Sequence, residues 1–387
     1  MLKLGEKIIS DIYLGDKKIA KVFLGDKLMY QANKPIFLDY VESTGTQLIN
    51  LGITGNGEVE ITAQATALRG SNTVLLGTTG GRAGTYIGYN ASGYWGAGSD
   101  STTSIKATQR ATITATFDDS GVSGYVDGEM FTRAKVVEHE AWSLFKDNTG
   151  GSPFTGCVFC VTAKQNGKKV LDLRPCIDPK GTVCMYDMVT KKYFYNKGTG
   201  TLTAGNKINF VDYIIFDGNS YIDTNVVPVF GDELEVYASI GDTVSGVNYS
   251  LFGAGTSSSQ FLSLFETKSL LNRYFGSTTG RGSFGKKETL SKLKFKNNGS
   301  VYIDDVQVIA PFSVSNNTVN TVLSIGARGG GTQPWLGKIG VLKLISSTGA
   351  VKLDLKPCVV AGEAGFYDMV TGKFYTNIGT GTLGYTE

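Results

Sequence analysis

Histidine is nearly absent: the 387 residues hold one, His139. A Ser-His-Asp hydrolase site would have to use it, and a histidine-built zinc site has nothing else to draw on. His139 stands between Glu138 and Glu140 in a segment that reads as surface, so no catalytic role is assigned to it. Proline is scarce too, at 8 against 51 glycines. That ratio excludes a Pro/Gly-rich disordered tract, and the glycines read instead as turns between many short strands. Charge of one sign is missing. The 37 basic and 34 acidic residues leave a formal net charge of +3, and Lys17-Lys18, Lys191-Lys192 and Lys286-Lys287 are scattered. No nucleic-acid partner is expected, because that calls for a clustered basic face. No apolar run approaches the roughly 18 residues of a membrane-spanning helix, so no membrane insertion is expected. The 5 cysteines are an odd number. Four lie in the first half and Cys358 stands alone in the second, which argues against a disulfide framework.

What is present is the composition of a folded protein: 41% hydrophobic and 18% charged. The length calls for about two sizeable cores. Residues 4–29 carry a ten-residue repeat. Its turns are Leu4-Gly5-Glu6-Lys7, Leu14-Gly15-Asp16-Lys17 and Leu24-Gly25-Asp26-Lys27, separated by short apolar stretches. Glycine followed by an acid supplies the positive φ of hairpin turns, so strand, tight turn and strand are expected three times. Such a meander is too small to bury a core alone. Residues 1–33 are therefore expected to serve as an anchor or oligomerisation segment, with Gln31–Pro35 as a linker.

The remainder repeats itself once. Phe37-Leu38-Asp39-Tyr40 recurs as Phe210-Val211-Asp212-Tyr213, and Glu58-Val59-Glu60-Ile61 as Glu233-Leu234-Glu235-Val236. Leu171–Cys176 recurs as Leu353–Cys358. The endings match best: Tyr186–Thr190 with Tyr367–Thr371, and Gly198–Leu202 with Gly379–Leu383. Two modules follow, 36–205 and 208–387. Inside each, apolar residues alternate with polar ones at a period of two, with turn residues every few positions, which is the pattern of strands. One short helix is expected near Glu138–Lys146. The fold class is all-β: two tandem antiparallel β-sandwiches after a short repetitive β segment.

Each module opens on a segment such as LDYVESTGTQLIN (residues 38–50), then a Glu-apolar-Glu-apolar strand. A hairpin GYVDGE (124–129) or VYIDD (301–305) follows, and then a strand FTGCVFCV (154–161) or WLGKIGVL (335–342). This order resembles the laminin G-like, concanavalin A-like jelly roll. The closing YDMVTGKFYTNIGTGTL (367–383) and the opening YLGDKKIAKVFLGDKLMY (13–30) are similar to structural proteins of phage and prophage virions. The resemblance covers nearly the whole chain and is more specific for fold than for function. It implies a non-enzymatic head- or tail-fibre protein, trimeric, attached to capsid or tail proteins by its N-terminus and touching host-surface glycans or proteins with its modules. The absence of a long fibrous shaft favours the head. The opening Met1–Glu6 lacks an apolar stretch of signal-peptide kind, so synthesis in the host bacterial cytoplasm and a place on the virion surface are expected. The alternatives are a secreted or surface glycan-binding protein of a bacterium and, less favoured, a glycoside hydrolase on the same fold.

Sugar sites combine aromatic platforms with amide, acidic or basic hydrogen-bonding groups. In module one Tyr86, Tyr89, Tyr94 and Trp95 cluster with Arg82 and Asn90. In module two the matching zone holds Arg273, Tyr274, Phe275 and Arg281. These ten are the ligand-binding candidates, with sheet-packing pairs as the competing reading. The anchor candidates are Leu4, Gly5, Leu14, Gly15, Asp16, Leu24, Gly25 and Asp26. Cys157 and Cys160 have CxxC spacing but sit in a strand, where positions i and i+3 face opposite ways, so core thiols are expected rather than a metal knuckle. The pairs Glu58/Glu60 and Glu233/Glu235 could hold hydrolase carboxylates. They appear in both modules without a longer acidic pattern, which points to an exposed strand face. Laminin G-like modules sometimes bind calcium through loop carboxylates. Asp118, Asp119, Asp127, Asp304 and Asp305 are the candidates, but no EF-hand-type ladder exists and turn roles account for them, so no cofactor is assigned.

Overall fold

The computed structural model describes the chain outside residues 1–2, 5–6, 9–12, 15–16, 19–20, 25–26, 32–34, 55–57, 69–72, 79–85, 97–101, 119–120, 134–140, 147–152, 241–247, 256–261, 268–269, 276–277, 284–286, 312–318, 320, 330 and 387. Side chains are described from residue 35 onward, except in parts of a few strands. The chain divides into two compact units, Met1–Lys207 and Ile208–Glu387.

The N-terminal repeat folds as three separate hairpins: Lys3–Leu4 with Lys7–Ile8, Tyr13–Leu14 with Lys17–Lys18, and Lys21–Leu24 with Lys27–Gln31. Leu4 pairs Lys7, Leu14 pairs Lys17 and Leu24 pairs Lys27. Each pairing leaves Gly5-Glu6, Gly15-Asp16 or Gly25-Asp26 between the strands, the two-residue spacing of the tightest hairpin.

Both modules are two-layered antiparallel sandwiches, and no helix occurs among the described residues. In module one the large sheet runs Glu129–Arg133, Gly121–Val126, Ala111–Asp118, Val59–Ala67, Thr155–Gln165, Lys168–Ile177, Val183–Asp187, Tyr193–Phe194, with Val41–Thr44 beside Thr155–Gln165. The facing six-stranded sheet contains Thr73–Gly77, Tyr86–Tyr89 and Tyr94–Gly96. Module two repeats the plan around Glu233–Ile240 and Leu336–Ile345, faced by a sheet centred on Tyr249–Ala254. Alternation explains the layering: Val59, Ile61, Ala63 and Ala65 are buried against the second sheet, while Glu60 and Thr62 face out. The segment expected to be helical forms the strand Ala141–Leu144 instead. Trp142 is fully buried with its ring 4.4 Å from Phe117, so burial within a sheet overrides the local pattern.

The recurring endings are clasps. Asp187 Oδ1 accepts the Asp172 and Val189 N–H groups, and its Oδ2 accepts the Thr190 N–H and hydroxyl. Asp368 does the same for Asp354, Val370 and Thr371. Asn196 accepts the Leu48 and Gly198 N–H groups, and Asn377 accepts those of Tyr221 and Gly379. A Cβ on Gly381 would lie 2.2 Å from an Asp217 oxygen, so the closing loop can press on the start of the module only through glycine.

One core position shows a compensating exchange. Module one has Ser43 on its early strand and Phe145 where the chain turns out of the second sheet, and both are fully buried. Module two has Phe216 and Gly326 at the equivalent places. A Cβ on Gly326 would sit 2.3 Å from the Phe216 ring. Both turn positions take the same backbone, φ 78° at Phe145 and 73° at Gly326. Phe145 therefore holds a strained conformation that packing must offset.

Candidate functional site

The sequence candidates of module one divide between core and turn. Tyr89 and Trp95 are cross-strand partners, 4% and 0% exposed, with rings 5.6 Å apart and edge-on. Trp95 also stacks on Phe154 at 6.2 Å. These two aromatics are core residues and do not present a platform to a ligand. Asn90 spends its side-chain oxygen on the Ser92 and Tyr94 N–H groups of a turn. Tyr86 and Tyr94 are half-buried, and Arg82 lies outside the described residues. In module two Arg273 is 4% exposed, packs against Gly280 and donates to the Ala310 carbonyl at 3.3 Å. Burial pulls its guanidinium pKa down. Asn272 pairs Arg281, so Arg281 and Arg273 take opposite faces of the sheet and do not converge. The Tyr274 and Phe275 side chains, the whole anchor set (Leu4, Gly5, Leu14, Gly15, Asp16, Leu24, Gly25, Asp26) and His139 also fall outside what is described of side chains.

The CxxC pair meets the expectation of a core thiol at Cys160, which is 3% exposed, but differs from it in facing. Cys160 pairs Gln64, Val158 pairs Ala65 and Cys157 pairs Thr66. The bulge leaves Phe159 without a partner on that strand, shifts the alternation by one residue and turns both thiols to the outer face. Both are free. Burial, with Glu42 and Asp39 adding, pushes Cys157 to about 11. Of the aspartates considered for calcium, Asp127 and Asp304 occupy turns with φ of 46° and 48° and accept the Thr112 and Lys292 N–H groups, Asp118 ends a strand and accepts the Gly121 N–H, and Asp119 lies outside the described residues. Glu60, Glu233 and Glu235 pair with Lys164, Lys296 and Lys292 across the outer sheet face.

The constellation that does converge was not singled out by the sequence. An open cleft of about 460 Å³ in module two is lined by Asp217, Gly218, Asn248, Tyr249, Gln333, Pro334 and Leu336. Asp217 ends the strand Ile214–Asp217. Burial raises its carboxyl pKa, but N–H donors from Thr382 and Asn219 outweigh that and hold it below the usual carboxylate range. Those bonds are 2.7 and 2.9 Å, and the Ser220 hydroxyl and N–H add to them. Asn248 and Tyr249 enter from the start of the strand Tyr249–Ala254. Gln333 sits at φ 54°, its Oε1 accepting the Ser250 hydroxyl at 3.3 Å and its carbonyl the Ser250 N–H at 2.8 Å. The glutamine is thereby tied to the strand Tyr249–Ala254. Sequence could have shown this site only as a difference: module one has Thr44, Gly45, Pro153 and Thr155 at the corresponding corner. There a Cβ on Gly45 would come within 3.2 Å of the Thr155 hydroxyl oxygen.

No protein-family model matches the chain, and no curated protein matches it in sequence. Among solved structures it is similar to domains LG4-5 of the mouse laminin alpha1 chain, at 10% identity and a TM-score of 0.31, covering 90% of this chain and 93% of that one. It is also similar to the LG1-3 region of the laminin alpha2 chain, at 9% identity and a TM-score of 0.28, covering 91% of this chain and 66% of that one. Overlap of that order supports no functional transfer. The β-sandwich character rests on the chain's own sheets.

Proposed function

We propose that the chain is a non-enzymatic virion-surface protein of fibre or decoration type, attached to the particle by its N-terminal hairpins and binding host-surface glycan through its modules. The observation that carries the binding part is the module-two cleft. A carboxylate, two amides and a phenol supply donors and acceptors for sugar hydroxyls, and Pro334 and Leu336 supply an apolar wall for the C–H faces. Its volume lies within the roughly 300–1,000 Å³ of small-ligand sites. The attachment part is supported by three two-stranded hairpins that have too few residues for a core of their own. Head placement, assembly as a homotrimer and synthesis in the host bacterial cytoplasm complete the reading.

Light scattering on the full chain beside a version starting at Pro35 tests the first part. A trimer that becomes a monomer on truncation supports it, and a monomer in both removes self-trimerisation. Calorimetric titration with purified host-surface polysaccharide tests the second. Asn248→Ala should weaken binding about tenfold through one lost hydrogen bond. Binding undiminished in Asn248→Ala would place the ligand elsewhere, and no binding by the full chain would end the glycan reading.

A further inference from the structure

Module one holds a pair of thiols that none of its other features uses. Cys176 and Cys184 are direct register partners on the adjacent antiparallel strands Lys168–Ile177 and Val183–Asp187. Their sulfurs are 3.5 Å apart, and both residues are 0% exposed. Both are reduced. Directly opposed residues in an antiparallel ladder have Cα atoms about 4.5–5.5 Å apart, inside the roughly 4.4–6.8 Å range of disulfides. Closing the bond needs the sulfurs to approach by about 1.5 Å, within reach of a side-chain rotation.

Module two shows that the second thiol is not dictated by the fold. The partner of Cys358 is Gly365. A Cβ there would meet the Tyr375 carbonyl oxygen at 2.2 Å and the Phe374 ring at 2.8 Å. The strand Phe374–Thr376 runs on until Thr376 pairs Gly365. In module one the matching strand, Tyr193–Phe194, pairs only Met185 and Tyr186. Tyr195 leaves the sheet and its hydroxyl donates to Asp178 at 3.0 Å. The departure opens the space that the Cys184 side chain fills. The connecting loop differs as well: Ile177 pairs Val183 with residues 178–182 between them, while Val360 pairs Glu363 around Ala361 and Gly362.

We infer that Cys176 and Cys184 form a site of oxidative modification, a cross-strand disulfide that closes when the protein meets an oxidant such as hydrogen peroxide. One thiolate attacks the peroxide O–O bond, giving a sulfenic acid and, with a proton, water. The second thiol attacks the sulfenic sulfur, forming the S–S bond and releasing a second water. The two thiols lose two electrons and two protons, and the peroxide is reduced to two waters. The hydrogen bond to Cys184 and then burial hold the Cys176 thiol well above its ordinary pKa, so attack is slow in the closed sandwich. Reaction proceeds through opening of the two-residue edge strand at Tyr193, whose hydroxyl pKa is pushed up to about 12 by burial first and then by Cys176, Tyr186 and Cys184. The bond would pin the hairpin that carries the Asp187 clasp.

The test is exposure of the full-length chain to hydrogen peroxide under native conditions, alkylation of remaining thiols in denaturant, and peptide mapping. The expected product joins Cys176 to Cys184 and leaves three of the five cysteines alkylated. Its module-one melting transition should rise by about 5 °C and return on reduction. Cys184→Gly, which copies module two, should leave Cys176 alkylatable, and Cys184→Ser should do the same if the glycine variant folds poorly. Five alkylated cysteines, a dominant pairing such as Cys157 with Cys160, or an unmoved transition would overturn the inference.

Discussion

The two modules share a frame and differ in what they bury on it. The Asp187 and Asp368 clasps are bond-for-bond equivalents, and so are those of Asn196 and Asn377. The differences begin on the next strand. Module one buries Arg174 at 1% exposure, its Nε 2.8 Å from Asp172. Module two has Lys356 in its place, half-buried, and Asp354 turns to Lys343 at 3.6 Å. Outer-face rows diverge in the same way. Thr62 and Thr114 are cross-strand partners with a hydroxyl contact of 3.0 Å in module one, where module two pairs Glu235 with Lys294. Duplicated sandwiches thus keep the hydrogen bonds that close the ends and change the faces and corners, where packing permits exchange.

The largest predicted contrast is at the basic residue of the shared strand. Arg174→Ala leaves a cavity and Asp172 with Lys169 as its remaining ion-pair partner, and should cost module one about 3 kcal/mol. Lys356→Ala should cost module two about 1 kcal/mol or less. Urea unfolding of the two variants measures both, and equal losses would show that the difference in burial has no energetic meaning. Next is the exchanged ring. Ser43→Phe overfills module one, and Phe145→Gly leaves a cavity while relieving the positive φ. The double variant copies module two and should recover about 2 kcal/mol relative to the sum of the single losses, read from a double-mutant cycle. Additive losses would mean that the two cores are packed independently of this pair.

The smallest contrast is with pH. Asp178 in module one and Asp217 in module two are both held below the ordinary carboxylate pKa. For each, burial works against the shift and backbone N–H donors outweigh it, from Thr182 and Thr382 respectively. Groups depressed in the folded state contribute stability that is fully present above about pH 4 and is lost as pH falls through the folded value. Acid titration followed by circular dichroism should show both modules weakening only below that point. Asp217→Asn should flatten the dependence in module two alone, and a parallel change in module one would contradict the assignment.

Much of the fold was legible before any coordinates. The period-two strands, the duplication and the two-residue hairpin spacing all follow from local chemistry written into neighbouring residues. The ligand-facing residues were less legible. Tyr89 and Trp95 look the same in a sequence whether a strand turns them inward or outward, and the core took them. Phe159 hides a bulge that no composition reveals, and it reversed the facing of Cys160. The helix expected near Trp142 failed because a strand was needed between Thr73–Gly77 and Ile49–Thr54 to complete the second sheet.

By itself the sequence determined the class: alternation sets which side of a strand is apolar, and glycine-acid turns set where strands reverse. These are interactions among residues a few positions apart. Only the tertiary structure decided the cleft of Asp217, Asn248 and Gln333, the exchange of Ser43 and Phe145 for Phe216 and Gly326, and the meeting of Cys176 with Cys184. Each depends on chain segments brought together by sheet register, and register is settled by packing over a whole face rather than by any local signal.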